Sequence, residues 1–361
     1  MADGTAPWDI PPSWQPALEA ARAGGTLIVL GAVDSGKSTL VAVLAQEARR
    51  AGRAVAVVDA DIGQSSIGPP ACVGMARVTS DVRSLDDLRA EAIDFVGACS
   101  PLGHLLQCAA SASAMARAAV NGGAETLIVD TTGLVSGPSA RALKGAKVRM
   151  LDPDVLIAIE QDDEVEHLVA HYQARARPMV IRLPPSRSVK QRSREERAAR
   201  RQQKFAACLA GAKSIELNWD DAPAENGPLT SGEAVPGHVR AYAEERLACE
   251  VLYAARRGDG ISLVVSGRPN PVGLRALADG FGGNASAVDV SALQHLLVGV
   301  LGDRGQTLAL GILEDADFRR RRSNIFTPLA DPSAARGLRL GSMRIARDGT
   351  QLGSNDPGAA G

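Results

Sequence analysis

Short apolar runs recur through the first half of the chain, with longer amphipathic stretches between them. Thr26–Leu30, Ala54–Val58, Leu127–Val129, Val155–Ile159 and Met179–Ile181 are almost wholly apolar, the pattern of strands buried on both faces. Intervening segments such as Ser38–Ala51 and Ser111–Asn121 read as helices. The alternation predicts an α/β fold, a mostly parallel sheet covered by helices, over residues 25–217. Residues 1–24 read as an N-terminal arm. Residues 218–237 are rich in Pro, Gly, Asp and Ser, have almost no apolar periodicity, and read as a linker. Beyond it, Ile261–Val265, Leu297–Leu301, Thr307–Ile312 and Leu338–Ile345 are strand-like runs separated by Gly-Asp, Gly-Gly and Asp-Gly turn signals. They predict a smaller C-terminal β-rich domain over 238–352, followed by a disordered tail at 353–361.

Two domains suit a chain of 361 residues, since one hydrophobic core seldom grows so large. No apolar run approaches the roughly 20 residues of a membrane span. The first residues hold prolines and tryptophans rather than an apolar block beside a basic one, so the expectation is a cytoplasmic protein without membrane partners. Five cysteines without C-x-x-C spacing argue against a disulfide framework or a zinc site. His167 and His171 are one helical turn apart but lack the glutamate of a zinc hydrolase, and read as a solvated helix face. A net charge of −1 gives no global sign of nucleic-acid binding, so any such binding must come from local patches.

Gly31-Ala-Val-Asp-Ser-Gly36-Lys37-Ser38 fits G-x-x-x-x-G-K-[ST] directly between a predicted strand and a predicted helix, the context a phosphate-binding loop (P-loop) requires. Gly31, Asp34, Ser35, Gly36, Lys37, Ser38 and Thr39 are therefore expected at the nucleotide. Backbone N–H groups and the helix start face phosphate oxygens, Lys37 reaches the β- and γ-phosphates, Ser38 ligates Mg²⁺, and Thr39 bonds the α-phosphate. The strands Ala54–Val58 and Leu127–Val129 run into Asp59-Ala-Asp61 and Asp130-Thr-Thr-Gly. Carboxylates at such strand ends lie where open α/β sheets bind ligands. One can join Ser38 in the Mg²⁺ shell, for which Asp59 and Asp130 are the candidates, while another orients or deprotonates an attacking hydroxyl.

No N-K-x-D segment reads guanine. Instead, Arg182 to Lys204 carries nine basic residues against Glu195 and Glu196, a local net of +7. The run from about 187 to 204 reads as an arginine lid over a transferring phosphoryl group, ahead of a solvated basic helix or a nucleic-acid patch without catalytic work. Arg194, Arg197 and Arg200 recur every three residues and stay on neighbouring helix faces. The quartet Arg319–Arg322 reads as a solvated loop ahead of a phosphate contact.

With these segments in hand, the chain resembles the P-loop RNA 5′-hydroxyl polynucleotide kinases, which include the kinase-type subunit of the pre-mRNA cleavage machinery, pre-rRNA-processing kinases and archaeal counterparts. The resemblance runs from about Gly25 to Leu352, through GAVDSGKSTL at Gly31–Leu40, VDADIGQSSIGPP at Val58–Pro70, FVGACSPLGHLL at Phe95–Leu106, VDTTGLVSGPSARALK at Val129–Lys144 and the arginine-rich segment. It implies ATP and Mg²⁺ as cofactors and a 5′-OH polynucleotide, RNA ahead of DNA, as substrate. It also implies Asp61 as the residue that activates the hydroxyl, a clasp over the substrate end at Ser100, Pro101 and His104 with Gln64, and a lid around Arg194–Arg200. The aromatic that follows Thr-x-Gly in the family is Leu134 here. The resulting expectation is transfer of the ATP γ-phosphate to a 5′-OH, with Lys37, Asp61, Arg194, Arg197 and Arg200 as catalytic residues. The rival is an ATPase or switch that keeps Lys37, Ser38 and Asp130 without needing Asp61 or the arginines.

Overall fold

Ahead of the first strand, the chain is helical where an arm is expected. Helix α1, Gln15–Ala23, buries Ala17, Leu18, Ala20 and Ala21. Trp14 closes its N-terminal end, fully buried, with its indole N–H donating to the Pro184 carbonyl at 2.9 Å. Prolines around Trp14 hide this short apolar stripe in the sequence. The computed structural model of the chain describes residues 8–186, 191–225, 232–258 and 260–354, so residues 1–7 of the expected arm lie outside the described residues.

The chain divides into two compact units, one up to Phe205 and one from Ala206 to Ala359. In the first, the elements follow α1 as β1 (Gly25–Gly31), α2 (Lys37–Arg50), β2 (Val55–Ala60), β3 (Cys72–Arg77), β4 (Ala92–Phe95), α3 (Leu105–Asn121), β5 (Thr126–Thr131), α4 (Gly137–Leu151), β6 (Val155–Ile159), α5 (Glu166–Gln173), β7 (Met179–Leu183) and α6 (Arg194–Cys208). The strand order is β4-β3-β2-β5-β1-β6-β7. β2, β5, β1, β6 and β7 are parallel, and β3 and β4 add antiparallel at one edge. Alternation within β1 explains why the strands look continuously apolar. Leu27 and Val29 join a core with α1 and α2, while Ile28 and Leu30 join a second core with α3, α4 and α5. The register pairs Asp59 with Asp130 across β2 and β5, so both acids leave the sheet at one level.

The second unit holds β8 (Lys213–Asn218), β9 (Ala224–Glu225), β10 (Glu233–Ala234), α7 (Gly237–Leu247), β11 (Glu250–Arg257), β12 (Gly260–Ser266), α8 (Pro271–Gly280), β13 (Asn284–Asp289), β14 (Leu296–Leu301), β15 (Thr307–Asp317), β16 (Arg322–Thr327), β17 (Gly337–Ile345) and β18 (Gln351–Ser354). One sheet is ordered β10-β11-β12-β13 and the other β18-β17-β14-β15-β16-β8, with β9 beside β17. The unit is β-rich, but α7 and α8 pack on β11–β13. β12 and β13 pair in parallel through α8.

The expected boundary at 217 and linker at 218–237 differ from this arrangement. β8 pairs with β16, so the C-terminal sheet takes a strand from before the boundary. Trp219 is buried, and its indole donates to Ser323 Oγ at 2.7 Å. Among the described residues, the segment holds one buried indole and two short strands although it lacks apolar periodicity. Residues 226–231 of the linker lie outside the described residues, as do 355–361 of the tail, whereas Gly353 and Ser354 complete β18. In the 319–322 quartet, Arg320 pairs with Asp317, Arg321 with Asp220 and Arg322 with Glu216. Among the described residues, no helix is long and apolar enough to cross a membrane.

Candidate active site

β1 ends at Gly31, and α2 begins at Lys37 on the same loop. Gly36 sits at the N-cap with φ 89°, a left-handed conformation that favours glycine. Lys37 is buried, and its ammonium donates to the Ala32 carbonyl at 2.5 Å. Burial holds the amine below the usual lysine range, while the charges of Asp130, Asp61 and Asp34 pull the other way. The Ser38 hydroxyl donates to Asp130 Oδ2 at 2.5 Å. Ser35 Oγ is buried without a hydrogen-bond partner among the described residues, facing the loop that the motif assigns to phosphate.

The three acids have different surroundings. Asp59 is 1% exposed and accepts from the backbone N–H groups of Asp61, Ser66 and Ile67 and from Ser65 Oγ. Both of its oxygens therefore serve the loop that follows β2. Burial, then the charges of Asp130 and Asp61, push its carboxyl up to about 7. Asp130 accepts from Ser38 and from the Thr131 N–H, and burial raises its carboxyl against the pull of Lys37. Asp61 uses Oδ1 for the N–H groups of Gly63 and Gln64, at 3.0 and 3.1 Å. Its Oδ2 accepts nothing among the described residues.

The donor chemistry fits magnesium. A serine hydroxyl and a carboxylate, both hard oxygens and in contact beside the P-loop, are what Mg²⁺ takes together with substrate phosphates. Among the described residues, no group of three or more His, Cys, Asp or Glu is placed to hold a metal.

The D-I-G-Q turn lies against the expected clasp. A Cβ on Gly63 would stand 2.7 Å from the Cys99 carbonyl oxygen, so only glycine permits this approach to the Ser100 segment. Ser100 is exposed, and its Oγ accepts from the Leu102 N–H at 3.3 Å. The His104 N–H donates to the Pro101 carbonyl, and His104 stands at the N-cap of α3. Gln64 Nε2 donates to the Gly63 carbonyl, and its buried Oε1 has no partner among the described residues. Leu134 packs half-buried on the core.

Helix α6 opens with a capping box: the Glu196 N–H donates to Ser193 Oγ, and the Ser193 N–H donates to the Glu196 carboxylate. The Arg197 guanidinium donates to Asp34 Oδ2 at 2.7 Å, and the Arg192 N–H reaches the same oxygen. Partial burial raises the Asp34 carboxyl, but these two donors outweigh it and hold the group below the usual range. Arg200 donates to Asp86 and Ser66 Oγ, and Lys204 to Asp86 and the Ser66 carbonyl. Arg194 is exposed. Arg187 and Lys190, expected at the start of the lid, lie outside the described residues.

Elsewhere, His167 and His171 are exposed on α5, and all five cysteines are free thiols. Sequence reading missed the Asp34 and Asp86 anchors of α6. It also missed Lys144 and Lys147, buried beneath the acids, whose signal is their place on the apolar face of α4.

Residues 31–211, half of the chain, match the family model described as mRNA cleavage and polyadenylation factor CLP1 P-loop. A polyribonucleotide 5′-hydroxyl-kinase of Pyrococcus abyssi (strain GE5 / Orsay) is 29% identical over 342 residues, 94% of this chain and 93% of that protein. One of Thermococcus kodakarensis is 30% identical over 328 residues, 91% of this chain and 90% of that protein. The solved structure of the wild-type Clp1p–Pcf11p complex is similar in fold, with a TM-score of 0.58 at 12% identity over 91% of this chain and 77% of that one.

Proposed function

The chain belongs to the CLP1 P-loop family, and from that premise we propose that it is an ATP-dependent kinase of the 5′-hydroxyl end of RNA. The observation that carries this reading is that the P-loop is joined to Asp130 through Ser38 and to Arg197 through Asp34, with Asp61 held by the turn after β2. Phosphoryl transfer needs little covalent help from a protein. It needs a nucleophile, a phosphate cradle and charge stabilisation in one place.

In this reading, the P-loop N–H groups and Lys37 hold the β- and γ-phosphates of ATP, with Thr39 at the α-phosphate. Ser38 and Asp130 hold a magnesium ion, which when bound neutralises phosphate charge. Asp59 keeps the loop after β2 in shape through its four hydrogen bonds. Asp61, held by Gly63 and Gln64 through Oδ1, turns Oδ2 to the 5′-hydroxyl and receives its proton. The hydroxyl oxygen bonds to the γ-phosphorus as the bond to the β–γ bridging oxygen breaks, and ADP leaves with that electron pair. Arg197, fixed at the P-loop by Asp34, stabilises the transferring group. Ser100, Pro101, His104 and Gln64 hold the substrate end, and exposed Arg194 opens the lid helix.

Incubation with γ-labelled ATP and RNA bearing either a 5′-OH or a 5′-phosphate tests the reading. Label should enter only the 5′-OH RNA. ATP turnover without labelled RNA would support the switch instead.

A further inference from the structure

Helix α4 buries Ala140, Leu143, Lys144, Lys147 and Val148, the i, i+3, i+4, i+7, i+8 stripe of a core-facing helix. Two of these five positions carry lysine where apolar residues belong, 2% and 1% exposed. Burying an amine is costly unless its protons find acceptors. A methionine would fill such a site without that cost, so packing alone does not account for the pair.

The acceptors lie at the two acidic strand ends. Lys144 Nζ donates to Thr131 Oγ1 at 2.9 Å and to the Thr132 carbonyl at 2.5 Å, the two residues that follow Asp130. The Thr131 hydroxyl donates onward to the Val29 carbonyl at 2.7 Å, on the strand that leads into the P-loop. Lys147 Nζ donates to the Ala60 carbonyl at 3.3 Å, between Asp59 and Asp61. Burial holds both amines below the usual lysine range, and at Lys144 the like charges of Lys147 and Lys37 add to it, while the charges of Asp61 and Asp130 act on both to favour the ammonium.

We propose that Lys144 and Lys147 are positioning residues for phosphoryl transfer: from one face of α4 they clamp the ends of β5 and β2 and fix the carboxylates that stand there, Asp130 and Asp61. Neither amine touches substrate. Each acts through the backbone beside a carboxylate, where displacement of about 1 Å costs about 10²-fold in rate. The inference rests on the kinase reading above.

The test measures kcat for transfer to 5′-OH RNA and ATP affinity in the full chain. Lys144→Met and Lys147→Met should each lower kcat about 10²-fold with ATP affinity and RNA KM within about twofold. Lys147→Gln, which keeps a donor toward the Ala60 carbonyl, should recover most of that loss. Thr131→Val removes the hydroxyl between Lys144 and Val29 without touching either lysine, and decides the matter should a Met variant not fold. A kcat lowered about tenfold at wild-type ATP affinity supports the clamp, and an unchanged kcat overturns it. Met variants with wild-type kcat, losses in which ATP affinity falls in step, or Lys147→Gln no better than Lys147→Met also overturn it. If the wild-type chain labels no RNA, the kinase reading falls and the clamp with it; if it does and the variants keep kcat, only the clamp falls.

Discussion

The Arg197 guanidinium stands 2.7 Å from the Asp34 carboxylate, joining the arginine-rich helix to the phosphate-binding loop. Arg197 is half-buried, its position set by an acid inside the G-x-x-x-x-G-K-S motif. Arg197→Ala should therefore lower the saturated transfer rate by about 10³-fold and leave RNA affinity nearly unchanged. Asp34→Ala keeps the arginine but frees it, and should cost about 10²-fold. A salt-dependent loss of RNA affinity at wild-type turnover in Arg197→Ala would make the helix a polynucleotide patch.

The same pair carries a pH expectation. Because the Asp34 carboxyl is held below its ordinary value, its contribution is present above that value and is lost only as pH falls through the lowered one. Limited trypsin cleavage within α6 should stay equally slow from about pH 8 down to about pH 5. Faster cleavage in that window would show another group controlling the attachment.

Asp59 and Asp130 face each other in register yet should answer differently to mutation. Asp59→Asn turns an amide toward N–H donors that now meet an acceptor. It should destabilise the fold by roughly 1–3 kcal/mol per orphaned donor, with an unchanged magnesium requirement for the remaining activity. Asp130→Asn should leave the melting temperature near wild type and raise the magnesium requirement sharply. The reverse pattern would place Asp59 in the metal shell.

Trp14 gives a test remote from the chemistry. Trp14→Ala empties a fully buried site and removes the bond to Pro184, and should cost about 3–5 kcal/mol in denaturant unfolding. A loss under 1 kcal/mol would mean that α1 is peripheral to the core.

What the sequence makes legible is whatever is local. The P-loop lies between its strand and helix as the motif requires, and Val155–Ile159 is a strand from end to end. Asp59, Asp61 and Asp130 show in the sequence only as strand-end acids, because their separate hydrogen-bond surroundings come from turns folded back on themselves. Trp14 and Trp219 are each buried in stretches whose prolines and polar residues suggest irregular chain. The Asp34 and Asp86 anchors of α6 bridge more than a hundred residues, a separation no spacing rule reports. Lys144 and Lys147 stand on an apolar helical stripe, but their acceptors, the Thr131 hydroxyl and the carbonyls of Thr132 and Ala60, lie at the ends of β5 and β2 and carry no local sequence signal.

The most direct test of the account is the effect of Asp61→Asn on two quantities measured together, the single-turnover rate of γ-phosphate transfer to 5′-OH RNA and the affinity for ATP. If Asp61 Oδ2 meets the nucleophile as proposed, the rate should fall by about 10²–10⁴-fold with ATP affinity unchanged. A variant that transfers phosphate at the wild-type rate, or loses ATP affinity in equal measure, would contradict it.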